Sequence, residues 1–345
     1  MLVHADELLT PAELAVMRRR WDGRGVWCVA HAWLVIMGTW AAFILWPHPV
    51  VLLVGVVVVA ARQLGIAILM HDAAHGILTR SKPLNEALGQ WVCAWPVITD
   101  LYAYRTYHLQ HHRWTQQAND PDLVLSAPFP ITWSSLKRKI IRDLTGQTTF
   151  KQRVAQFRAG FTAKDGTWRD GLKKGISRLG GPIAVNLGLL AGLSAIGQWH
   201  VFLLLWVLPF FTWLPMITRI RNIAEHAVVP DNDDPFRNAR TTKANWLWRA
   251  LVAPYWVNYH VEHHLLMYVP CYNLPKLHAL LLAKGYGPKM EIQPSYLAVL
   301  RLAAAKPESA ANDDDGADAG DTGNNHGVGL AIAQNITPRA AKKRA

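Results

Sequence analysis

The sequence predicts an all-α integral membrane protein: four transmembrane helices in two hairpins, with a cytoplasmic helical cap that carries most of its histidines. Three observations predict this. Of the 345 residues, 51% are apolar and only 17% charged, a balance that does not suit a soluble chain of this length. The apolar residues gather into four windows, 25–46, 50–70, 180–197 and 201–220, each long enough to cross ~30 Å of hydrocarbon at ~1.5 Å per residue. Lys and Arg are absent from the turns Trp46-Pro47-His48-Pro49 and Gln198-Trp199-His200 but abundant elsewhere. By the positive-inside rule, both termini and everything but those two turns then face the cytoplasm.

The elements follow in order. Residues 1–24 form a cytoplasmic N-terminal segment, with a short amphipathic helix that has Pro11 near its start and Leu14, Val16 and Met17 on its apolar side. Asp6, Glu7 and Glu13 make this stretch too acidic for a standard cleaved signal, so the first span is expected to act as an uncleaved signal anchor. Residues 84–104 are moderately apolar but interrupted by Pro96 and Asp100, which suits a helix lying in the membrane interface. Residues 131–178 are basic, with Lys137-Arg138-Lys139 and Lys173-Lys174, and are expected to form cytoplasmic helices or loops over the bilayer. A second interfacial stretch, 246–268, precedes an amphipathic helix at 274–283. The membrane domain is thus taken as 25–285 and a C-terminal extension as 286–345. Beyond about residue 306, Ala, Asp, Gly and Asn dominate, and disorder is expected because such a composition buries too little apolar surface.

The formal charge of +12 flanks membrane segments and carries no nucleic-acid fold signature, so anionic lipid headgroups are the expected partner. Trp27, Trp46, Trp199 and Trp246, among sixteen tryptophans, fall near span ends where amphipathic rings settle. Cys28, Cys93 and Cys271 have neither disulfide nor metal spacing and read as small buried hydrophobes. Arg62 and Gln63 lie inside the second span, where polar side chains are costly; they are expected to pair near the site or to snorkel toward the cytoplasm.

Chemistry is carried by histidine. Of fifteen histidines, eight fall into three clusters: His71-Asp72-Ala73-Ala74-His75, His108-Leu109-Gln110-His111-His112 and His260-Val261-Glu262-His263-His264. On a helix, positions i, i+3 and i+4 share an arc of roughly 100°, so each cluster is expected to aim its imidazoles one way. The first cluster follows the second span, the second follows the first interfacial segment, and the third lies in the second. All three can meet in one cytoplasmic cavity. Imidazole suits iron, zinc, copper or nickel, and eight ligands exceed what one ion of roughly four to six coordination uses, which makes this a histidine-rich di-metal site. His226, just past the fourth span, is a ninth candidate, with Asn222 one turn before it. Asp72, Glu225 and Glu262 sit in or beside the clusters, placed to receive the second N–H of a metal-bound imidazole. His4, His31, His48, His200, His278 and His326 lack cluster partners and read as structural or solvated.

The three boxes, their order and their placement around two hairpins resemble the membrane-bound fatty acid desaturase and hydroxylase superfamily, over about residues 50–285. Supporting details are His75-Gly76 followed by Leu84-Asn85, the run Asn119-Asp120-Pro121-Asp122, and Asn273-Leu274-Pro275. Within it the sequence is most similar to the bacterial-type fatty acid desaturase branch. The resemblance implies two Fe ions held by the boxes, His226 as a ninth ligand and Asn222 binding through water. It implies no catalytic residue separate from the metal ligands. It also implies O2 as co-substrate, and electrons from a separate ferredoxin- or cytochrome-type donor, since no haem-binding module is read at either end. The implied reaction is desaturation of a fatty acyl chain or acyl lipid.

Rivals remain open. A carotenoid ketolase or hydroxylase, a lipid hydroxylase, or a desaturase of a small amphiphile, of the same superfamily shares the ligand set, and the His-Asp-x-x-His box with its Asp-Pro-Asp run resembles those branches too. His260, where the front-end desaturases with a fused cytochrome domain carry glutamine, argues against that branch. An intramembrane zinc protease needs His-Glu-x-x-His, and Asp72 occupies the glutamate position. A membrane metal transporter would hold its ligands near the bilayer midplane, whereas these lie beyond span ends.

Overall fold

The computed structural model describes residues 4–162 and 166–307. The disorder expected in the tail concerns residues outside that range, as does His326. Four helical runs are long and apolar enough to cross a membrane: Pro11–Leu45, Pro49–Ala74, Trp168–Ala195 and Trp199–His226. The first is a short helix, Pro11–Met17, closed by a Thr10/Glu13 capping box, followed by a long one, Asp22–Leu45.

The second long helix, Pro49–Ala74, has Pro49 in its first turn, where the missing N–H costs nothing, and the His48 ring accepts from Val50 N. Its far end is set by glycine. Gly76 takes φ +70, Gly76 N donates to Ala73 O and Ile77 N to Asp72 O, which is the Schellman pattern of a helix stop. The chain therefore turns away one residue after His75. It then passes under the first helix, where a Cβ on Gly25 would stand 2.0 Å from Leu78 O. Asp22 fastens this crossing by accepting from Arg80 N and Ser81 N.

The 84–104 stretch is broken where Pro96 and Asp100 suggest. Lys82–Ala87 is α-helical, Leu88–Ala94 widens to a π-turn, Trp95–Val97 tightens, and Ile98 takes φ 55. Asp100 then caps a new helix, Leu101–Trp114, by accepting from Ala103 N. Two basic helices follow, Trp133–Leu144 and Gln147–Phe161. Asp143 ties the first of them to the fourth long helix through Arg219 at 2.6 and 2.8 Å.

The third long helix begins at Trp168, twelve residues before the expected span, because a Thr167/Asp170 capping box nucleates it there. The basic end of the 131–178 stretch is thus the first part of this helix rather than a separate surface element. The fourth, Trp199–His226, is kinked by a π-turn at Leu203–Val207 with Leu205 out of helical geometry. The carbonyls freed at the kink are taken up by side chains, Trp40 Nε1 donating to Leu205 O and Gln63 Nε2 to Trp206 O. Gln63 is therefore a repair for the kink, and Arg62 donates to Ala250 O. Neither pairs with the other or with the histidines, contrary to the first of the two expectations.

The remainder is short elements: Trp246–Leu251, His260–Leu265, and Leu274–Ala283 at the expected place. A two-residue parallel pairing, Thr241 with Ile292 and Thr242 with Gln293, staples the segment after the fourth helix to the C-terminal part.

Candidate metal centre

The end of the second long helix, the Leu101–Trp114 helix, the end of the fourth and the short His260–Leu265 helix converge, and nine histidines meet there in two groups. His71, His75, His108, His112 and His263 form one; His111, His226, His260 and His264 form the other. Within each, one nitrogen per ring lies within 4.8 Å of all the rest. Each H-x-x-H-H box is split between them, a refinement of the expectation that a box aims one way. Positions i and i+4 are only about 40° apart around a helix, so His108 with His112, and His260 with His264, share a group. Position i+3 stands about 60° to the other side, so His111 and His263 cross to the opposite group. The first box supplies both its rings to one group, and His226 makes up the other.

The ring nitrogens fit a cation and little else. Nε2 atoms face one another at 3.0 Å for His71–His263, His108–His112 and His112–His263, at 2.9 Å for His226–His260 and at 3.1 Å for His260–His264. One proton can bridge one such pair, but His112 and His260 each face two partners. Both nitrogens of buried His75 lack any hydrogen-bond partner. Borderline nitrogen donors converging in this number, out of water, are the donor set of a transition-metal site.

The outward nitrogens are oriented. Nδ1 of His111 lies 2.8 Å from Asp120 Oδ1, that of His226 3.2 Å from Asn238 O, that of His264 3.2 Å from Thr115 Oγ1, and that of His71 3.4 Å from Asp72 Oδ1. With the proton on Nδ1, each ring presents the Nε2 lone pair inward. Burial first, and then neighbouring imidazoles, hold His108, His112, His260, His263 and His264 well below the ordinary histidine pKa, so they are neutral near pH 7, the form in which an imidazole can bind a metal. His111 differs: burial disfavours its charge, but Asp120 outweighs burial and raises its pKa.

The acids named from sequence go to three different places. Asp72 reaches His71 and also accepts from Cys271 N at 2.9 Å, tying the second long helix to the segment after the third box. Glu225 faces inward, 3.6 Å from His260 Nε2 and 3.3 Å from Arg221, not toward an outward nitrogen. Glu262 sits about 200° around its helix from His260 and so points away from the centre, to His278 and Thr241. Asn222 lines a cavity of about 30 Å³ together with His71, His108, His111, Tyr104 and Leu125, and its Oδ1 accepts from Arg221 at 2.7 Å.

Four supports escaped the sequence reading. Asp120 lies in the Asn-Asp-Pro-Asp run, nine residues past His111, where the run itself was the signal. Thr115 and Asn238 carried none. Arg240, almost wholly buried, donates to Ala227 O and Val228 O at 2.7 Å, carbonyls left over where the helix bearing His226 ends.

A family profile described as fatty acid desaturase matches residues 47–294. The chain is 26% identical to a dihydrorhizobitoxine desaturase of Bradyrhizobium elkanii, over 67% of this chain and 66% of that protein. It is also 26% identical to a beta-carotene ketolase of Paracoccus sp. (strain PC1), over 72% of this chain and 86% of that one. It is 24% identical to an sn-1 oleoyl-lipid 12-desaturase of Picosynechococcus sp., over 62% and 64% respectively.

Proposed function

Because the chain belongs to the fatty acid desaturase family, we propose that this membrane oxidoreductase desaturates a fatty acyl chain or acyl lipid at a di-iron centre. The nine histidines serve as its ligands and Asn222 contributes through water. The observation that carries this reading is the division of nine buried imidazoles into two adjoining groups of five and four. Iron as the metal, O2 as co-substrate and a separate ferredoxin- or cytochrome-type electron donor follow from the family. The iron pair, when bound, supplies the oxidising power that an unactivated C–H bond demands and that no side chain possesses.

The chain's own residues do the rest. The four helix ends hold the rings in place, Asp120, Asn238, Thr115 and Asp72 hold the protons on the outward nitrogens, and the apolar shell keeps bulk water away. The cavity of about 30 Å³ beside both groups has room for a water-sized molecule. Tyr104 and Leu125, beside Asp122, Arg221 and Glu225, line it without being ligands and set how near a substrate carbon comes. Both termini and the metal centre are assigned to the cytoplasmic side, on the strength of two turns without Lys or Arg.

A second reading is ketolation of a carotenoid ring, favoured by the Paracoccus ketolase, which is matched over more of its length than either desaturase. Expression in a carotenoid-producing host with iron and a donor system, followed by lipid and pigment profiling, separates the two. A new double bond in an acyl lipid, absent with His263→Ala, supports desaturation. A new ring ketone supports the second reading, and unchanged lipids and pigments sink both.

A further inference from the structure

A second cavity, of about 530 Å³, lies away from the metal centre, between the first two long helices and the segment 246–256. None of the nine clustered histidines lines it. Its walls are largely apolar, with Val35, Val58, Leu251 and Pro254, but two arginines, Arg62 and Arg249, open onto the same space. Arg62 stands roughly 20 Å along its helix from Pro49, at ~1.5 Å per residue, and so within a membrane-spanning segment.

A guanidinium at that depth calls for a partner. Among the described residues it meets a carbonyl, Ala250 O, and the hydroxyl and ring of Tyr255, the ring at 5.8 Å. Among the described residues no carboxylate forms an ion pair with Arg62 or with Arg249. The positive charge of this cavity is therefore not balanced by an ion pair from the described residues.

Its wall is also strained. Tyr255 and Trp256, two successive aromatic residues, take φ 52 and 59, in the region that favours glycine. Tyr255 is kept there by donating to Cys28 O and by meeting His31 Nδ1 at 3.1 Å. Gly65 makes room, since a Cβ on it would come 2.8 Å from the Tyr255 ring. Strain of this kind persists where a surrounding structure holds a ligand clamp in shape. Trp246, 73% exposed, lines the cavity mouth on a surface that in a membrane protein meets lipid.

We propose that this cavity binds an anionic phospholipid of the surrounding bilayer, its phosphate between Arg62 and Arg249 and an acyl chain along Val35, Val58 and Leu251. A lipid already in the bilayer needs no aqueous route to it, and a headgroup with net negative charge balances two arginines where a zwitterionic one brings its own cation. The proposal is independent of the reaction at the histidines.

The test uses the metal-loaded full chain in neutral detergent and measures retained lipid by native mass spectrometry. The probes are phosphatidylglycerol, phosphatidylcholine with the same acyl chains, and oleate. Phosphatidylglycerol is expected to be held about tenfold or more tightly than phosphatidylcholine, and Arg62→Met and Arg249→Met each to remove about tenfold of that affinity. Arg249 is exposed and makes no structural bond described above, so its variant decides the matter if Arg62→Met does not fold. Equal retention of the two phospholipids, preference for oleate, or unchanged phosphatidylglycerol binding by Arg249→Met overturns the proposal.

Discussion

Removing His226 gives the most direct test of the two-group arrangement. The variant His226→Ala leaves His111, His260 and His264 around one metal position and touches none of the five rings of the other. A four-ligand structural zinc site binds its ion with roughly 10–16 kcal/mol, which on the same scale makes one ligand in four worth about 3–4 kcal/mol, a few hundredfold in affinity. The metal-free protein loses the Nδ1 contact to Asn238 O, about 1 kcal/mol, together with the Nε2 approach to His260 and the ring's packing on His111 and His264. Metal analysis of purified protein should therefore fall from about two irons per chain to about one, with activity abolished and the melting temperature of the metal-free form near that of the parent. His75→Ala, in the five-ligand group, serves as the comparison and should deplete the other position. A His226→Ala protein that keeps both irons and full activity removes His226 from the ligand set. Loss of both irons at once refutes the separation into two groups.

The other expectations are smaller in scale. Asp120→Asn keeps the shape but loses the charge that holds His111 in its tautomer, and should weaken metal binding about 10–100-fold with little change in fold, as read by metal titration and circular dichroism. Gly25→Ala places a methyl 2.0 Å from a backbone oxygen, Leu78 O, that cannot swing aside, and should cost about 1–3 kcal/mol of stability in thermal unfolding; a neutral result contradicts the close crossing. Acid should destabilise the metal-free protein. The five imidazoles with lowered folded pKa refuse protons that the unfolded chain takes up near pH ~6.5, so their contribution is full above that value and lost as pH falls. His111 and Asp122, whose pKa values are raised, act in the opposite sense, but they are two groups against five. The melting temperature should rise between about pH 5 and pH 7, and a flat or inverted profile argues against the buried neutral cluster.

Hydropathy alone determined that four segments of this chain are long and apolar enough to cross a membrane, and spacing alone that eight histidines act as three sets. Both follow from local rules: a span is set by the thickness of hydrocarbon, and i, i+3, i+4 by the helical repeat. The start of the third helix was misplaced because Thr167 and Asp170, a polar capping box, extend it where hydropathy is already low. Gln63 was read as pairing near the site or snorkelling to the cytoplasm because the carbonyl it serves, Trp206 O at the kink, lies 143 positions away and is brought to it only by the fold.

Which metal group each ring joins was likewise beyond the sequence. The helical repeat places His108, His111 and His112 on one arc, but only the four helix ends, brought together in space, decide that His111 meets His226, His260 and His264 while its neighbours meet His71, His75 and His263. The same holds for the supports. Glu225 faces inward and Glu262 outward because each follows the rotation of its own helix relative to the centre, and Asp120, which lies outside the boxes, joins Asp72 in reaching an outward nitrogen because the chain folds back after Trp114. A sequence shows which residues share a face. Which faces meet is decided by packing between segments up to roughly two hundred positions apart, as His71 and His263 are.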